Sequence, residues 1–166
     1  RASILTGQYA HRHGVVDNQT EVPAGTRYYP QYLQQNGYRT AMIGKWHMGH
    51  DDDDPRPGFD HWESFRGQGP YFNPTLNING TRVAHEGYTA DILTDHALGW
   101  IEEQRQAGQP FFLHLAHKNV HAEFEPAPRH LGRYETAPLR YPETMYPSAA
   151  GIETWPRWVR EQRSSW

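Results

Sequence analysis

The chain has 166 residues, enough for one domain with a hydrophobic core of its own. Its formal net charge of −3 argues against a general nucleic-acid-binding surface, and the lack of cysteine excludes disulfides, thiolate zinc sites and cysteine nucleophiles within it. Only 36% of the residues are hydrophobic, but 6 Trp, 10 Tyr and 6 Phe are not typical of a disordered chain. We therefore expect a folded piece of a longer protein, whose core is partly completed from outside. No apolar stretch approaches the roughly 18–20 residues of a membrane span.

The first part of the chain predicts two short helices and a strand. "RASILTG" (residues 1–7) has room for one or two helical turns, and Gly7 suits the left-handed residue that ends a helix. Thr26 is predicted to cap a short helix through "RYYPQYLQQN", which Gly37 ends. "YRTAMIG" (38–44) has an apolar centre and therefore predicts a strand.

Charge and turn residues dominate the middle of the chain. "DDDDPRPG" (51–58) is predicted to be a loop, because four like charges and two prolines cannot continue a helix or a strand. "TLNINGTRVA" (75–84) predicts a hairpin, since its Asn-Gly pair suits a tight type I′ turn. The triplets at 18–20 and 79–81 also fit a glycosylation acceptor, but such triplets are common and we favour the hairpin.

The clearest helix is predicted to begin at Thr89 and to end at Gly108. Its apolar residues fall on one stripe at helical spacing, which we interpret as core: Ile92, Leu93, Ala97, Trp100 and Ile101. "FFLHLA" (111–116) predicts a strand, whereas 117–166 is rich in Pro, Arg, Trp and Tyr and indicates a loop-rich region. Helices that alternate with strands predict an α/β sandwich, although these few elements do not fix the order of the sheet.

The chain has only two lysines, and one of them lies in "MIGKWHMGH" (42–50), at the end of the predicted strand. Lys45 and His47 are two positions apart, so in an extended chain their side chains share a face. They would project beyond the carboxyl end of the strand, where open α/β sheets bind ligands. A lysine suits an anionic oxygen, and a histidine can transfer a proton near neutral pH. The alternative is a loop lysine and a histidine packed against Trp46.

A second group of polar residues follows the later strand, in "AHKNVHAEFEPAPRH" (116–130). His117, Lys118 and His121 would reach the same edge of the sheet. The spacing of the two histidines fits a metal only in a helix, which the following prolines disfavour. We therefore favour a single histidine that acts as an acid or an anion ligand over a zinc site. A polar surface loop remains the alternative for His117 and Lys118.

Arg1 heads the first predicted helix, where free N–H groups and the helix dipole attract anions. The candidate residues of the three segments are arginine, lysine and two or more histidines, with no carboxylate among them. This set suits a tetrahedral oxyanion ester, because cations bind its oxygens and an imidazole can protonate the departing alcohol.

Three stretches resemble the sulfatase family, and they keep the family's order. "RASILTG" resembles the second half of the first sulfatase signature, in which a Cys or Ser, a Pro and an Arg precede Thr-Gly. "GYRTAMIGKWH" (37–47) resembles the second signature, and "PFFLHLAHKNVH" (110–121) resembles the strand that leads to a substrate-side histidine. The resemblance implies an alkaline phosphatase-like α/β sandwich with a mixed central sheet. Residues 1–130 would be part of its catalytic domain, and 131–166 a loop-rich continuation of the same domain.

The resemblance also implies a sulfuric ester hydrolase. Residues 71–95 resemble sulfatases of 6-sulfated N-acetylglucosamine, a sugar of glycosaminoglycans such as heparan sulfate. The implied nucleophile is a formylglycine, made from a Cys or Ser four positions before Arg1 by a formylglycine-generating enzyme or an anaerobic maturase. Arg1 and Lys45 would hold the formylglycine and the metal-side oxygens, and His47 would act on its hydroxyl to help expel sulfate. His121 would bind the sulfate and help to protonate the leaving oxygen; Lys45 and His121 are thus the implied substrate-binding residues. The family's habit is to be secreted, periplasmic or lysosomal.

Some parts of the family's site are absent from this sequence. They are the nucleophile, the paired aspartates of the calcium site, the later Asp-Asn pair and a second substrate lysine. The Ca²⁺ expected in the full-length protein therefore has no predicted ligands here. Asp17-Asn18 and the aspartates at 51–54 do not match the metal positions, and Glu123 stands where the family usually has proline. We expect the 166 residues alone to be inactive.

Three other functions stay open from the sequence. A phosphonate or phosphate ester hydrolase of the same superfamily would share the fold and the nucleophile chemistry. A degenerate homologue would only bind sulfated glycans, and a Cys or Ser four positions before Arg1 would favour an enzyme over this binder. A histidine-rich metal-binding module is the least favoured.

Overall fold

The computed structural model describes residues 1–49, 52–142, 145 and 148–161, with only the backbone of residues 149 and 150. The chain divides into two compact units, Arg1–Ala127 and Pro128–Trp166. The described strands of the first unit form one five-stranded sheet: β1 (Arg39–Lys45), β2 (His61–Phe65), β3 (Thr75–Ile78), β4 (Thr81–Ala84) and β5 (Phe111–Ala116). The assignment of 131–166 to the same domain as 1–130 remains a prediction.

The sheet is mixed, in the order β4-β3-β2-β1-β5. β1 is parallel to both β2 and β5, so the carboxyl ends of these three strands meet at one edge. β3 is antiparallel to β2 and forms a hairpin with β4. This hairpin turns at Asn79 (φ 50°) and Gly80 (φ 94°), the positive angles of a type I′ turn, as the sequence predicted. The Asn79 side chain accepts a hydrogen bond from the Trp62 N–H at 2.8 Å, which ties the turn to β2.

The described helices of the first unit are α1 (Ala2–Thr6), α2 (Ala10–His13), α3 (Tyr29–Gln35) and α4 (Thr89–Ala107). α1 ends at a left-handed Gly7 and α4 at a left-handed Gly108, as predicted. The prediction that Thr26 caps α3 is wrong. The helix begins after Tyr28, and the Thr26 hydroxyl is already engaged in the preceding turn, where it donates to the Pro23 carbonyl at 2.6 Å.

The sheet has a hydrophobic cluster on each face, because alternate residues of β1 point to opposite sides. One cluster joins β1 and β2 to α1 and consists of Ala2, Leu5, Val15, Tyr28, Met42, Trp46, Met48 and Trp62. The other lies under α4 and consists of Ala41, Ile43, Phe65, Leu76, Leu93, Ala97 and Trp100. The predicted apolar stripe of α4 is therefore core, and the fold is an α/β sandwich.

Several elements were not predicted. β2 and α2 are absent from the sequence prediction, as are the short helices of the second unit: a 3₁₀ helix at Pro128–His130, α5 (Ala149–Glu153) and α6 (Arg157–Glu161). Residues 52–58 have no regular secondary structure, as predicted for this loop, whereas Asp51 lies outside the described residues. None of the described helices is both long and apolar enough to cross a membrane.

Candidate active site at the carboxyl edge of the sheet

The chain segments that follow β1, β2 and β5 leave the same edge of the sheet, because these strands are parallel. β1 ends at Lys45 and is followed closely by His47. The segment after β5 carries Lys118 and His121, and the segment after β2 carries Tyr71. The topology thus brings together side chains that lie up to about 75 residues apart in sequence.

Gly44 allows β1 and β5 to approach closely just before the site. Its φ is 115°, and a Cβ atom there would lie only 2.0 Å from the carbonyl oxygen of Ala116. A side chain at this position would therefore separate the two strands next to Lys45 and next to the start of the segment after β5.

The segment that follows Lys45 begins with a buried tryptophan, which anchors it to the core. Trp46 is fully buried and packs edge-on against Tyr28 and Trp62, with ring centroids 5.6 and 5.2 Å away. His47 has a positive φ of 45°, and its side chain is buried as well. The strand extends to Lys45, one residue beyond its predicted end.

Arg1 lies beside the segment that follows Lys45. Its Nη2 donates a hydrogen bond to the carbonyl oxygen of His47 at 3.1 Å. Burial lowers the pKa of the Arg1 guanidinium from its ordinary value, although an arginine stays charged at any physiological pH. The structure therefore places the Arg1 guanidinium against the backbone of His47.

Lys45 is buried in a positively charged environment. Its Nζ donates to the side-chain oxygen of Gln68, a neutral partner. Burial, together with the charges of Arg1 and Lys118, lowers the pKa of Lys45 to about 8. A bound anion would offset these charges, so the geometry favours an anionic ligand.

His121 lies on the loop after β5 and is held through its backbone. Its carbonyl oxygen accepts a hydrogen bond from the Tyr71 hydroxyl at 2.7 Å, and its N–H donates to the Lys118 carbonyl at 3.2 Å. The Lys118 ammonium lies 4.6 Å from the centre of the Tyr71 ring. Tyr71 thus contacts both the Lys118 ammonium and the backbone of His121.

Sequence reasoning missed Gln68, Tyr71 and His114 as neighbours of this site. Gln68 and Tyr71 follow β2, and because that strand was not predicted, nothing placed its following segment at the ligand-binding edge. His114 lies within β5, where burial and the positive charge of residue 1 lower its pKa. The only sequence signal for His114 was its position within a segment that was predicted to be a strand.

The acidic loops do not supply a metal site. The buried Asp53 carboxylate contacts Arg82 and lies 3.7 Å from Arg66, so it stabilises the loop against β4. Asp17 accepts hydrogen bonds from within its own loop, from the Gln19 and Thr20 N–H groups at 2.9 and 2.7 Å. Among the described residues no group of three His, Asp or Glu side chains could hold a metal ion. The described residues therefore do not by themselves fit a Ca²⁺ site.

Comparison with known proteins finds sulfatases among the relatives of this chain. The family model described as "Sulfatase" matches residues 1–148. An N-acetylglucosamine-6-O-sulfatase of Bacteroides thetaiotaomicron is 38% identical over 154 residues, covering 91% of this chain and 27% of the relative. A human N-acetylglucosamine-6-sulfatase is 30% identical over 151 residues, covering 78% of this chain and 27% of the relative.

A solved structure, determined in complex with its substrate D-glucosamine-2-N,6-O-disulfate, superposes with a TM-score of 0.72 and 37% identity. The match covers 92% of this chain and 29% of that one. The chain thus spans less than a third of the length of these relatives. Its sheet and helices are those of the alkaline phosphatase-like fold of sulfatases. The chain belongs to the sulfatase family.

Proposed function

We propose that this chain is the part of a sulfatase catalytic domain that binds the sulfate ester and protonates its leaving group. The observation that carries the proposal is the convergence of Arg1, Lys45 and His47 with the loop of His121 at one sheet edge. Among the described residues, the carboxylate that pairs with this cluster is Glu123, whose exposed side chain lies 3.6 Å from the Lys118 ammonium, so the cluster keeps an excess of positive charge. Such an excess suits an ester whose oxygens carry negative charge.

Each residue has a role that follows from its chemistry. The Lys45 ammonium and the Arg1 guanidinium bind sulfuryl oxygens or the groups that attack the sulfur, since both are cations in a low-dielectric site. His121 donates a proton to the departing alcohol oxygen, because an alkoxide is a poor leaving group. His47 transfers a proton during the later release of sulfate. A formylglycine four positions before Arg1 in the complete protein would supply the nucleophilic oxygen.

We propose a 6-O-sulfated glucosamine as the substrate. Two relatives carry the name N-acetylglucosamine-6-sulfatase or its 6-O form, and a solved structure similar to this chain holds a 6-O-sulfated glucosamine as its substrate. The partners of the complete protein would then be a sulfated carbohydrate and a formylglycine-generating or anaerobic maturase enzyme. We also propose export from the cytoplasm, because two further relatives, 32% and 27% identical, carry names that describe extracellular sulfatases.

The experiment is a comparison of matched esters with the complete protein that contains this chain. N-acetylglucosamine 6-sulfate and N-acetylglucosamine 6-phosphate are each supplied, and the released anion is measured by ion chromatography. We expect the sulfate ester to have a kcat/KM higher by about 100-fold. Preference for the phosphate ester would instead identify a phosphate ester hydrolase of the same superfamily, and binding without release of either anion would identify a non-catalytic glycan binder.

A further inference from the structure

Lys118, the second of the chain's two lysines, has no role in the function proposed above. Its side chain is only 3% exposed. The ammonium lies 4.6 Å from the centre of the Tyr71 ring and 3.6 Å from a carboxylate oxygen of Glu123. Burying a cation this deeply costs free energy of desolvation, so the groups that surround Lys118 should indicate its role.

Tyr71 connects Lys118 to His121. The face of the Tyr71 ring receives the ammonium, while its hydroxyl donates to the His121 carbonyl at 2.7 Å. Because the ring and the hydroxyl belong to one rigid group, fixing the ring fixes the donor that holds the backbone of His121.

A second tyrosine extends this arrangement. The ring of Tyr88 stacks on Tyr71 at 6.2 Å between centroids and 19° between planes. Its hydroxyl accepts from the Asn119 side chain at 2.7 Å and donates to the Glu125 carbonyl at 2.9 Å. The two tyrosines therefore hold the loop 117–125 at three residues. These are His121 itself and, on either side of it, Asn119 and Glu125.

The charge of Lys118 is only partly neutralised where it lies. The Glu123 side chain is 70% exposed, so water screens its interaction with the ammonium. The groups that face Lys45 are Arg1, Lys118 and the neutral Gln68, so its environment contains two like charges. The Lys118 charge is thus one of the causes that lower the pKa of Lys45, after burial and Arg1.

We propose that Lys118 is a positioning residue of this site. Through the Tyr71 ring it fixes the loop that carries His121, and its ammonium charge also acts on Lys45. The proposal rests on the proposed function only where activity is measured; the effect on Lys45 can be measured without it.

The test replaces Lys118 with methionine, which has a similar length and no charge, in the complete protein. The ionisation of Lys45 is followed by its labelling with acetic anhydride across a pH series, because only the neutral amine reacts, and the label is quantified by mass spectrometry. The wild-type midpoint should lie at about pH 8. Lys118→Met removes one of the charges that lower the pKa of Lys45. We therefore expect the labelling midpoint of Lys45 to rise, and the alkaline limb of the pH profile of sulfate release to move in the same direction. Lys118→Gln gives the same test should the methionine variant not fold.

Two matched variants separate charge from packing. Glu123→Gln removes the ion pair but keeps the Lys118 cation, so the labelling midpoint of Lys45 should not rise in this variant. Tyr71→Phe keeps the ring but loses the hydrogen bond to His121, so kcat should fall while the midpoint stays unchanged. An unchanged midpoint in Lys118→Met, or an equal rise in Glu123→Gln, would overturn the proposal. If the wild type releases no sulfate, the proposed function fails, while the labelling midpoints still decide the role of Lys118.

Discussion

Lys45 and Lys118 are the only lysines of the chain, and each has more than nine-tenths of its surface buried. Lysine is almost never buried unless a partner offsets its charge. Lys45 contacts a neutral amide, and Lys118 contacts an exposed carboxylate. Two such residues at the same sheet edge are better explained by an anionic ligand than by the stability of the fold, because buried cations destabilise a protein that never binds an anion.

Replacing His121 with glutamine should remove the proton donor while leaving its backbone contacts in place. We expect kcat/KM for a 6-O-sulfated sugar to fall by about 10²–10⁴-fold, the usual contribution of a general acid. The loss should be much smaller for 4-nitrophenyl sulfate, whose phenolate leaves without protonation. The exposed His130 provides a control, since His130→Gln should change neither rate. Equal losses on both esters would show that His121 is not the acid.

The sequence allowed the prediction of some site residues and not of others, for a physical reason. Lys45 and His47 stand directly after an apolar run, so their place beyond a buried strand could be inferred. Gln68 and Tyr71 follow β2, whose Glu63 and Ser64 are polar but buried. Polar residues inside a strand hide its apolar pattern, because their burial depends on hydrogen bonds that only the folded structure provides.

At the scale of elements, the close approach of β1 and β5 positions the two halves of the site. Gly44 pairs with Ala116 in the parallel register, and no side chain separates the strands there. This contact explains why a glycine interrupts an otherwise apolar strand. The sequence showed the glycine but not its partner, since strand pairing between distant segments is a tertiary property.

Gly44→Ala should therefore be strongly destabilising. The new Cβ would meet the Ala116 carbonyl oxygen at 2.0 Å, at a φ of 115° that alanine rarely adopts. We expect a loss of about 3 kcal/mol or more in the free energy of unfolding, measured with urea. Gly7→Ala is the control, because Gly7 has a positive φ but nothing within 4 Å, and it should cost only about 1 kcal/mol. Similar losses in the two variants would argue against the close strand contact.

β2 is joined to α4 by a buried carboxylate. Glu63 is 1% exposed and contacts the His96 ring nitrogen on α4 and His61 at 3.4 Å. Burial alone would raise the pKa of Glu63, but the hydrogen bonds and charges of His61 and His96 outweigh it, so the pKa lies below its ordinary value. A lowered carboxylate pKa stabilises the fold above the unfolded value and loses that stabilisation as the pH falls.

Glu63→Gln should therefore have two effects on urea unfolding. At neutral pH the variant should lose roughly 1–3 kcal/mol, as expected when a charged hydrogen-bond acceptor is removed from a buried network. The wild type should lose stability as the pH falls below about 4.3, and the variant should lose less over the same range. Glu102→Gln is the control, because Glu102 bonds Arg105 on the exposed face of α4 and its removal should have little effect at neutral pH. An unchanged acid dependence in Glu63→Gln would contradict this account.

At the scale of the whole molecule, the chain spans 27% of the Bacteroides relative, and we propose that it provides one side of the active site. It supplies cations and histidines, whereas the described residues offer no group that could bind a metal ion. We propose that further structure of the complete protein covers this edge of the sheet. Such a cover would account for both the low apolar content of the chain and its excess of buried positive charge. We accordingly expect no sulfate release from the 166 residues alone.

The most direct measurement is a crystal structure of the complete protein with a 6-O-sulfated glucosamine bound. The account predicts that the 6-O-sulfate lies at the carboxyl edge of β1 and β5, with a sulfuryl oxygen within hydrogen-bond distance of Lys45 Nζ and the ester oxygen within reach of the His121 ring. A sulfate group bound elsewhere, with Arg1, Lys45 and His121 directed away from it, would contradict the account.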